Sequence, residues 1–117
     1  MQDASYSLPL TALTYHALLA LADGDRHGYG IIKEVERRTG GDMEIETGTL
    51  YHAIKRMLDE ELIQSVPASE RPADEDKRRR TYRLTEWGRE VLAAESMRLR
   101  QLLEIAEEKR VIPARST

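Results

Sequence analysis

The segment ETGTLYHAIKRMLDEELI, residues 46–63, combines hydroxyl, imidazole, ammonium and guanidinium side chains on one short stretch. Hydroxyl groups and free backbone N–H groups at a helix start favour a phosphate, and Arg is the usual partner of guanine O6 and N7. In the alternative interpretation, Thr47 is only a helix cap, and Lys55 and Arg56 are solvated charges paired with nearby acids. The candidate contacts to nucleic acid on this segment are Thr47, Thr49, His52, Lys55 and Arg56.

A second group of cations follows an acidic run. Residues 77–83, KRRRTYR, hold five basic residues and no acid, whereas residues 70–76, ERPADED, hold four acids and one Arg. The two runs could form a solvated loop whose charges neutralise each other, or the basic run could meet phosphate at a loop tip. The candidate phosphate contacts here are Lys77, Arg78, Arg79 and Arg80.

Apolar periodicity predicts the elements that position these groups. Residues 10–22 show helical spacing, and a second helix starts near Tyr29 and stops at Gly40 and Gly41. A third helix is predicted over 47–60, with Thr47 as its cap and Leu50, Tyr51, Ile54, Met57 and Leu58 as its buried stripe.

Two strands and a long helix are predicted in the rest of the chain. Strands are predicted over 62–66 and 80–84, separated by a polar loop over 67–79, and Tyr82 is expected to pack inward. A long helix follows, capped by Thr85 and running to about Arg110.

This order of elements indicates a mainly α fold with a small β-hairpin, a winged helix-turn-helix. In that arrangement the third helix enters the major groove, and the hairpin reaches an adjacent groove or the backbone. Tyr29, in the first turn of the second helix, either touches phosphate through its hydroxyl or is a core tyrosine with a solvated tip. The expected domains are a winged helix-turn-helix over 1–84, a dimerisation helix over 85–110 and a frayed tail over 111–117.

Three motifs in this order resemble the PadR family of bacterial transcriptional regulators: HGYGIIKEVE, GTLYHAIKRMLDEELI and RRRTYRLTEWGREVL. The resemblance covers roughly residues 8–95. It implies a homodimeric winged-helix repressor that binds palindromic operators and dimerises through its C-terminal helix, as in the short subfamily. The expected location is the cytoplasm.

Two positions depart from the pattern of the family. Many members carry Pro where this chain has His52, and Gly where it has Glu61. Gly suits a left-handed residue just past a helix end. If Glu61 adopts that conformation, the strain costs about 1 kcal/mol or more.

The long helix carries an apolar stripe that predicts a second protein partner. A helix of this length extends beyond the core of so small a domain. A second copy of the chain is the simplest partner that could bury its apolar stripe. The alternative is packing on the N-terminal helix. Glu95 interrupts the stripe and is expected to pair with an Arg of the other chain. The candidate dimerisation residues are Val91, Leu92, Leu99, Leu102, Leu103 and Ala106.

Other functional classes find little support in the sequence. The chain has no Cys, its three histidines lie in different predicted elements, and HGYG lacks the lysine of a phosphate loop. We therefore expect no catalytic residues, no metal and no cofactor. No apolar run approaches the roughly 18 residues of a membrane span, and MQDASYSLPL does not have the pattern of a signal peptide.

Two questions about partners stay open at this stage. Some members of the PadR family sense small aromatic molecules. The last predicted helix has no aromatic residue after Trp87 that could line a pocket for such a ligand. Any effector is therefore unknown. The net charge of −3 does not decide for or against DNA. The alternative function is a winged-helix protein-interaction module without DNA binding.

Overall fold

The computed structural model describes residues 8–71 and 79–115. Within these ranges the fold is mainly helical, with one small antiparallel sheet. The predicted winged helix-turn-helix is confirmed, and element boundaries differ from the predicted ones by one or two residues at most positions. In chain order the elements are α1 (Ala12–Leu21), β1 (Arg26–His27), α2 (Gly28–Arg38), α3 (Thr47–Asp59), β2 (Ile63–Ser65), a 3-10 turn (Ala68–Glu70), β3 (Thr81–Leu84) and α4 (Glu86–Glu108).

The sheet contains one strand that the sequence pattern did not reveal. Strands β2 and β3 form the predicted hairpin, in which Ser65 lies opposite Tyr82. The additional strand, β1, pairs with the other edge of β3, so that His27 lies opposite Thr81. A strand of two residues is too short to show the alternation of apolar and polar residues by which strands are predicted. The pairing fixes the start of α2 beside the base of the wing.

One hydrophobic core joins the helices to the sheet. Tyr82 is buried as predicted, but Tyr51 is 47% exposed, so the prediction that it belongs to the core is wrong. Its ring lies over Gly28, where an added Cβ would stand 2.7 Å from the Tyr51 hydroxyl oxygen. Leu58 is only half-buried. The fully buried side chains include Leu18, Ile31, Val35, Leu50, Ile54, Met57, Leu62 and Val91.

Side-chain caps begin three of the four helices described here. The predicted cap of α4 is confirmed, since the Thr85 hydroxyl accepts a hydrogen bond from Gly88 N at 2.8 Å. The predicted cap of α3 is wrong. Glu46 has the extended backbone of a cap residue, and Thr47 is the first helical residue, so the Thr47 hydroxyl cannot fill that role.

Helices α2, α3 and α4 end in the same backbone motif. In each, the residue after the cap has a positive φ, and the next N–H bonds back to the carbonyl five residues earlier. Gly40 takes the left-handed position after α2, with φ 63°. Glu61 takes it after α3 and Arg110 after α4, both with φ 61°. Glu61 therefore adopts the strained conformation that Gly would occupy more easily.

The first half of α4 belongs to the core of its own chain. Val91 and Leu92 are buried in this core and are not available to a dimer interface, so the prediction that they are dimerisation residues is corrected. Glu95 is also buried, and it accepts hydrogen bonds from Leu10 N at 2.9 Å and from Arg98 of the same chain. Its expected pairing with an Arg of another chain is thus replaced by an internal ion pair.

The second half of α4 projects from the core. The helix has 23 residues, or about 34 Å of length at about 1.5 Å per residue. Leu102 and Leu103 are 50% and 55% exposed. Beyond Arg110 the chain turns back, and the Arg115 guanidinium lies 3.3 Å from a Glu107 carboxylate oxygen. None of the helices in the described ranges is long and apolar enough to cross a membrane.

Candidate nucleic-acid interface

Three of the predicted contact residues share one exposed face of α3. Thr49, His52 and Arg56 follow the helical spacing of three and four residues, opposite the buried stripe. They line a shallow concavity of about 300 Å³ together with residues from the start of α1. Lys55 is exposed beside this face. An exposed helix face with a guanidinium, an imidazole and a hydroxyl presents the donors that read base edges.

The first turn of α3 offers backbone N–H groups. The first α-helical bond is donated by Leu50 N to Glu46 O at 3.0 Å, so the N–H groups of the three preceding residues have no carbonyl one turn behind them. Thr47 and Thr49 are both exposed there. This is the arrangement in which a helix start receives a phosphate oxygen.

A second concavity lies where the start of α2 meets α3 and the base of the wing. Its volume is about 420 Å³. It brings together two predicted contacts from the wing, Arg79 and Arg80, with the predicted contact Tyr29, which is 55% exposed. The pairing of β1 with β3 makes this possible. The lining is completed by His27, Gly28, Tyr51 and Tyr82.

His27 lines this second concavity and makes two side-chain contacts there. Its Nδ1 accepts a hydrogen bond from Gly30 N at 3.1 Å and so caps α2. Its Nε2 lies 3.3 Å from Arg79 Nη1. Tyr82 lines the same concavity, and burial raises the pKa of its phenol, so this hydroxyl stays neutral.

Sequence reasoning missed three residues of this region: His27, Tyr51 and Lys33. Lys33 Nζ lies 5.1 Å from the Tyr29 ring centroid, and the hydrogen bond with the Tyr29 hydroxyl raises the pKa of Lys33. Its position one turn after Tyr29 was the available signal. For His27, the signal was its place just before a helix, where a side-chain acceptor is common.

Arg83 serves the structure of the wing rather than its outer surface. Its guanidinium donates to both carboxylate oxygens of Asp25, at 3.1 and 2.9 Å, and to Glu70 at 3.2 Å. The two acids raise its pKa, with the Asp25 hydrogen bond as the main cause. Arg71 in turn donates to the Arg79 carbonyl at 2.6 Å. The predicted contacts Lys77 and Arg78 lie outside the described residues.

A third concavity, of about 390 Å³, lies between α1 and α2. Its most prominent charge, Glu34, is nearly buried and accepts hydrogen bonds from Arg38 and Arg37, with Arg26 at 3.5 Å. These guanidinium groups lower the Glu34 pKa to about 2, against the opposing effect of burial. The charges satisfy one another, which is typical of a structural cluster. Within residues 8–71 and 79–115, no group of acidic and histidine side chains could hold a metal ion.

Known proteins share both the sequence pattern and this fold. The pattern of the "Transcriptional regulator PadR-like family" matches residues 17–94. An uncharacterized 37.1 kDa protein in a transposon of Streptomyces fradiae is 36% identical over 85 residues, which are 73% of this chain. The chain spans only 22% of the length of that relative.

Two solved structures illustrate the match. A PadR family transcription regulator from Clostridium difficile is 26% identical, with a TM-score of 0.68 over 84% of this chain and 97% of that one. Bacillus subtilis PadR in complex with operator DNA is 23% identical, with a TM-score of 0.60 over 72% of this chain and 46% of that one. With the family pattern matched over most of the chain, the protein belongs to the PadR-like family of transcriptional regulators.

Proposed function

We propose that this protein is a dimeric repressor that binds a palindromic operator through α3 and the basic wing. The observation that carries the proposal is that α3 lines both concavities of the candidate interface. Thr49, His52 and Arg56 line one, and Tyr51 lines the other beside Arg79. A single helix can thus read bases while the adjoining site holds the backbone.

The side chains of α3 divide into two roles. Arg56 and His52 read base edges in the major groove, because they are exposed and lie one turn apart. Thr47 and Thr49 position the helix against a phosphate, and Lys55 meets the backbone beside it. This division assigns sequence specificity to His52 and Arg56 alone.

The second set of contacts comes from the wing and the start of α2. Arg79, Arg80 and Tyr29 bind phosphates, because they line one concavity with hydroxyl and guanidinium donors. Lys77 and Arg78, the predicted contacts outside the described residues, extend the same basic run. The proposed DNA-binding domain is residues 1–84.

Dimerisation uses the projecting half of α4. The apolar residues available there are Leu99, Leu102, Leu103 and Ala106, since Val91 and Leu92 are buried in their own chain. The proposed dimerisation helix is residues 85–110, followed by a tail. Two copies related by a twofold axis would present two α3 helices to half-sites about one helical turn of DNA apart, or about 34 Å. Bacillus subtilis PadR, which is similar in fold, binds operator DNA, and this supports the DNA-binding part of the proposal.

The deciding experiment is a selection of genomic fragments that the purified protein binds, followed by affinity measurements on the recovered site. We expect one palindromic sequence to be enriched. Arg56→Ala should reduce affinity for that site far more than affinity for mixed-sequence DNA. Lys109→Ala, which removes one charge at the far end of α4, is the matched control. Enrichment of no sequence would contradict the proposal and favour the protein-interaction module instead.

A further inference from the structure

We propose that His27 and Arg79 together hold one phosphate of the DNA backbone, with the His27 Nε2–H and the Arg79 guanidinium donating to its oxygens. This assignment rests on the proposed function and adds a contact residue, His27, to it. It is carried by the geometry of two side chains that are 52 residues apart in the sequence.

The protonation of the imidazole follows from its helix cap. Nδ1 accepts the Gly30 N–H at 3.1 Å, so Nδ1 bears a lone pair and no proton. In the neutral ring the single proton is then on Nε2. The cap thereby fixes the tautomer and turns the outer edge of the ring into a hydrogen-bond donor.

Arg79 faces that donor with another one. Its Nη1 lies 3.3 Å from His27 Nε2, and a guanidinium has no acceptor atom. Two N–H groups at this separation cannot bond to each other, because each would need a lone pair on the other. Both can instead donate to an anionic oxygen placed between them. The pair is therefore arranged for a ligand that brings its own negative acceptor.

The surroundings select a phosphate as that ligand. Arg80 and the partly exposed Tyr29 and Tyr51 line the same concavity, and their guanidinium and hydroxyl groups can donate to tetrahedral oxygens. Gly28 has no Cβ, which would otherwise stand 2.7 Å from the Tyr51 hydroxyl, so this hydroxyl can lie directly against the start of α2. That helix start also favours negative charge.

The position of the concavity identifies the DNA backbone as the source of the phosphate. It opens beside Tyr51, which is two residues from Thr49 and one from His52 on the proposed recognition helix. A duplex read by α3 must pass its sugar–phosphate backbone beside that helix. A phosphodiester there would meet the start of α2 and the wing together.

The test separates the two nitrogens of His27. In His27→Asn, the side-chain oxygen can replace Nδ1 as the helix cap, but no atom reaches the position of Nε2. In His27→Gln, the amide can reach the position of Nε2, but the short cap is lost. Affinity is measured by fluorescence anisotropy on a mixed-sequence duplex, because a phosphate contact does not depend on base sequence.

The two variants should dissociate stability from DNA binding. We expect His27→Asn to keep the melting temperature and to weaken DNA binding by about tenfold or more. We expect His27→Gln to lower the melting temperature by about 4 °C and to keep most of the affinity. Arg79→Gln should also flatten the slope of log affinity against log salt by about 1.8, as each contact contributes about 0.9 and the proposed dimer has two. His27→Asn should leave this slope unchanged, because a ring whose Nδ1 accepts the Gly30 N–H contributes a hydrogen-bond donor to the contact and no net charge.

A shared phosphate also predicts non-additive effects. The double variant His27→Asn with Arg79→Gln should bind DNA more tightly than the two separate losses would give, because either change alone disturbs the same contact. An ¹⁵N spectrum should show the His27 Nε2 signal shifting with the duplex. Inorganic phosphate at equal ionic strength should leave this signal in place.

The outcomes distinguish this proposal from the proposed function. If the unchanged protein binds the duplex but His27→Asn binds it equally well, the phosphate assignment to His27 is overturned and the DNA-binding function stands. If His27 responds to inorganic phosphate and not to the duplex, the site binds a free anion and the assignment is likewise overturned. If the unchanged protein binds no duplex at low salt, both proposals fall.

Discussion

The left-handed backbone at Glu61 predicts a substitution that stabilises the protein. Glu61 closes α3 with φ 61°, a conformation that is strained by about 1–2 kcal/mol for a residue with a Cβ. Glu61→Gly removes this strain. It also gives the unfolded chain more freedom, which lowers stability by about 0.4–1 kcal/mol. We expect a net increase of about 0.5–1 kcal/mol in the free energy of unfolding.

The structure makes this position a clean test of backbone strain. The Glu61 side chain is exposed, so its removal leaves no cavity. The hydrogen bonds that close the helix, Glu61 N to Leu58 O at 3.1 Å and Leu62 N to Met57 O at 2.9 Å, use only backbone atoms and remain available to Gly. The removed carboxylate lies near the negative end of α3, which by itself is slightly unfavourable.

Two further variants isolate the cause. Glu61→Ala loses the same charge but keeps the strain, so the difference between Gly and Ala at this position reports the backbone alone. Gly40→Ala is the reverse change in the same motif after α2. Among the described residues, nothing stands within 4 Å of a Cβ added at Gly40. Gly40→Ala should lower the free energy of unfolding by about 1 kcal/mol, because Ala is strained at the positive φ of this position.

Urea unfolding followed by circular dichroism is the appropriate assay. The midpoint should rise for Glu61→Gly with an unchanged slope, and the melting temperature should rise by about 2–4 °C. The reasoning is refuted if Glu61→Gly is no more stable than Glu61→Ala. It is also refuted if Gly40→Ala costs nothing, because the two positions share one conformation.

Three other predictions concern binding, association and acid. Arg56→Ala should weaken binding to the specific site by about 1–3 kcal/mol and relax the preference at one base position, whereas Thr49→Ala should weaken binding to all DNA alike. If Arg56→Ala lowers the affinity for specific and random duplexes equally, Arg56 is a phosphate contact. Leu102→Glu should convert the proposed dimer into a monomer in sedimentation experiments, with Gln101→Glu as the control, and a native monomer at micromolar concentration would reject the dimer. The lowered Glu34 pKa means that its carboxylate stabilises the fold above about pH 4.5 and that this stability is lost as the pH falls toward about 2, so Glu34→Gln should flatten the loss of stability in that window.

The helices and the hairpin could be predicted because their signals are local. The apolar stripe of α3 and the hydroxyl of Thr85 act within one or two turns of the chain. Strand β1 could not be predicted, because its two residues form a strand only through their pairing with β3, more than fifty residues away. The sequence predicts a core position for Tyr51 because it belongs to the apolar stripe of the third helix. In the structure Tyr51 is 47% exposed, and its ring lies over Gly28 at the start of α2, a contact between distant parts of the chain.

The candidate interface was predictable in part for the same reason. The exposed face of α3 follows from helical periodicity, so Thr49, His52 and Arg56 were correctly placed on one face. The second concavity depends on distant pairings, and the sequence gives no local sign that His27 meets Arg79. The corrections on α4 at Val91, Leu92 and Glu95 arise because an apolar stripe does not reveal which part of it the same chain covers.

The projecting half of α4 has a consequence for how the protein responds to its own abundance. Its last buried residue is Glu95, and the helix continues to Glu108 with large apolar side chains in solvent. A helical segment of about a dozen residues is marginally stable in water without packing. Under the proposed dimerisation, ordering of this segment is therefore coupled to association. Dilution would melt the helix end as it separates the copies, and operator occupancy would rise more steeply with protein concentration than for a preformed dimer.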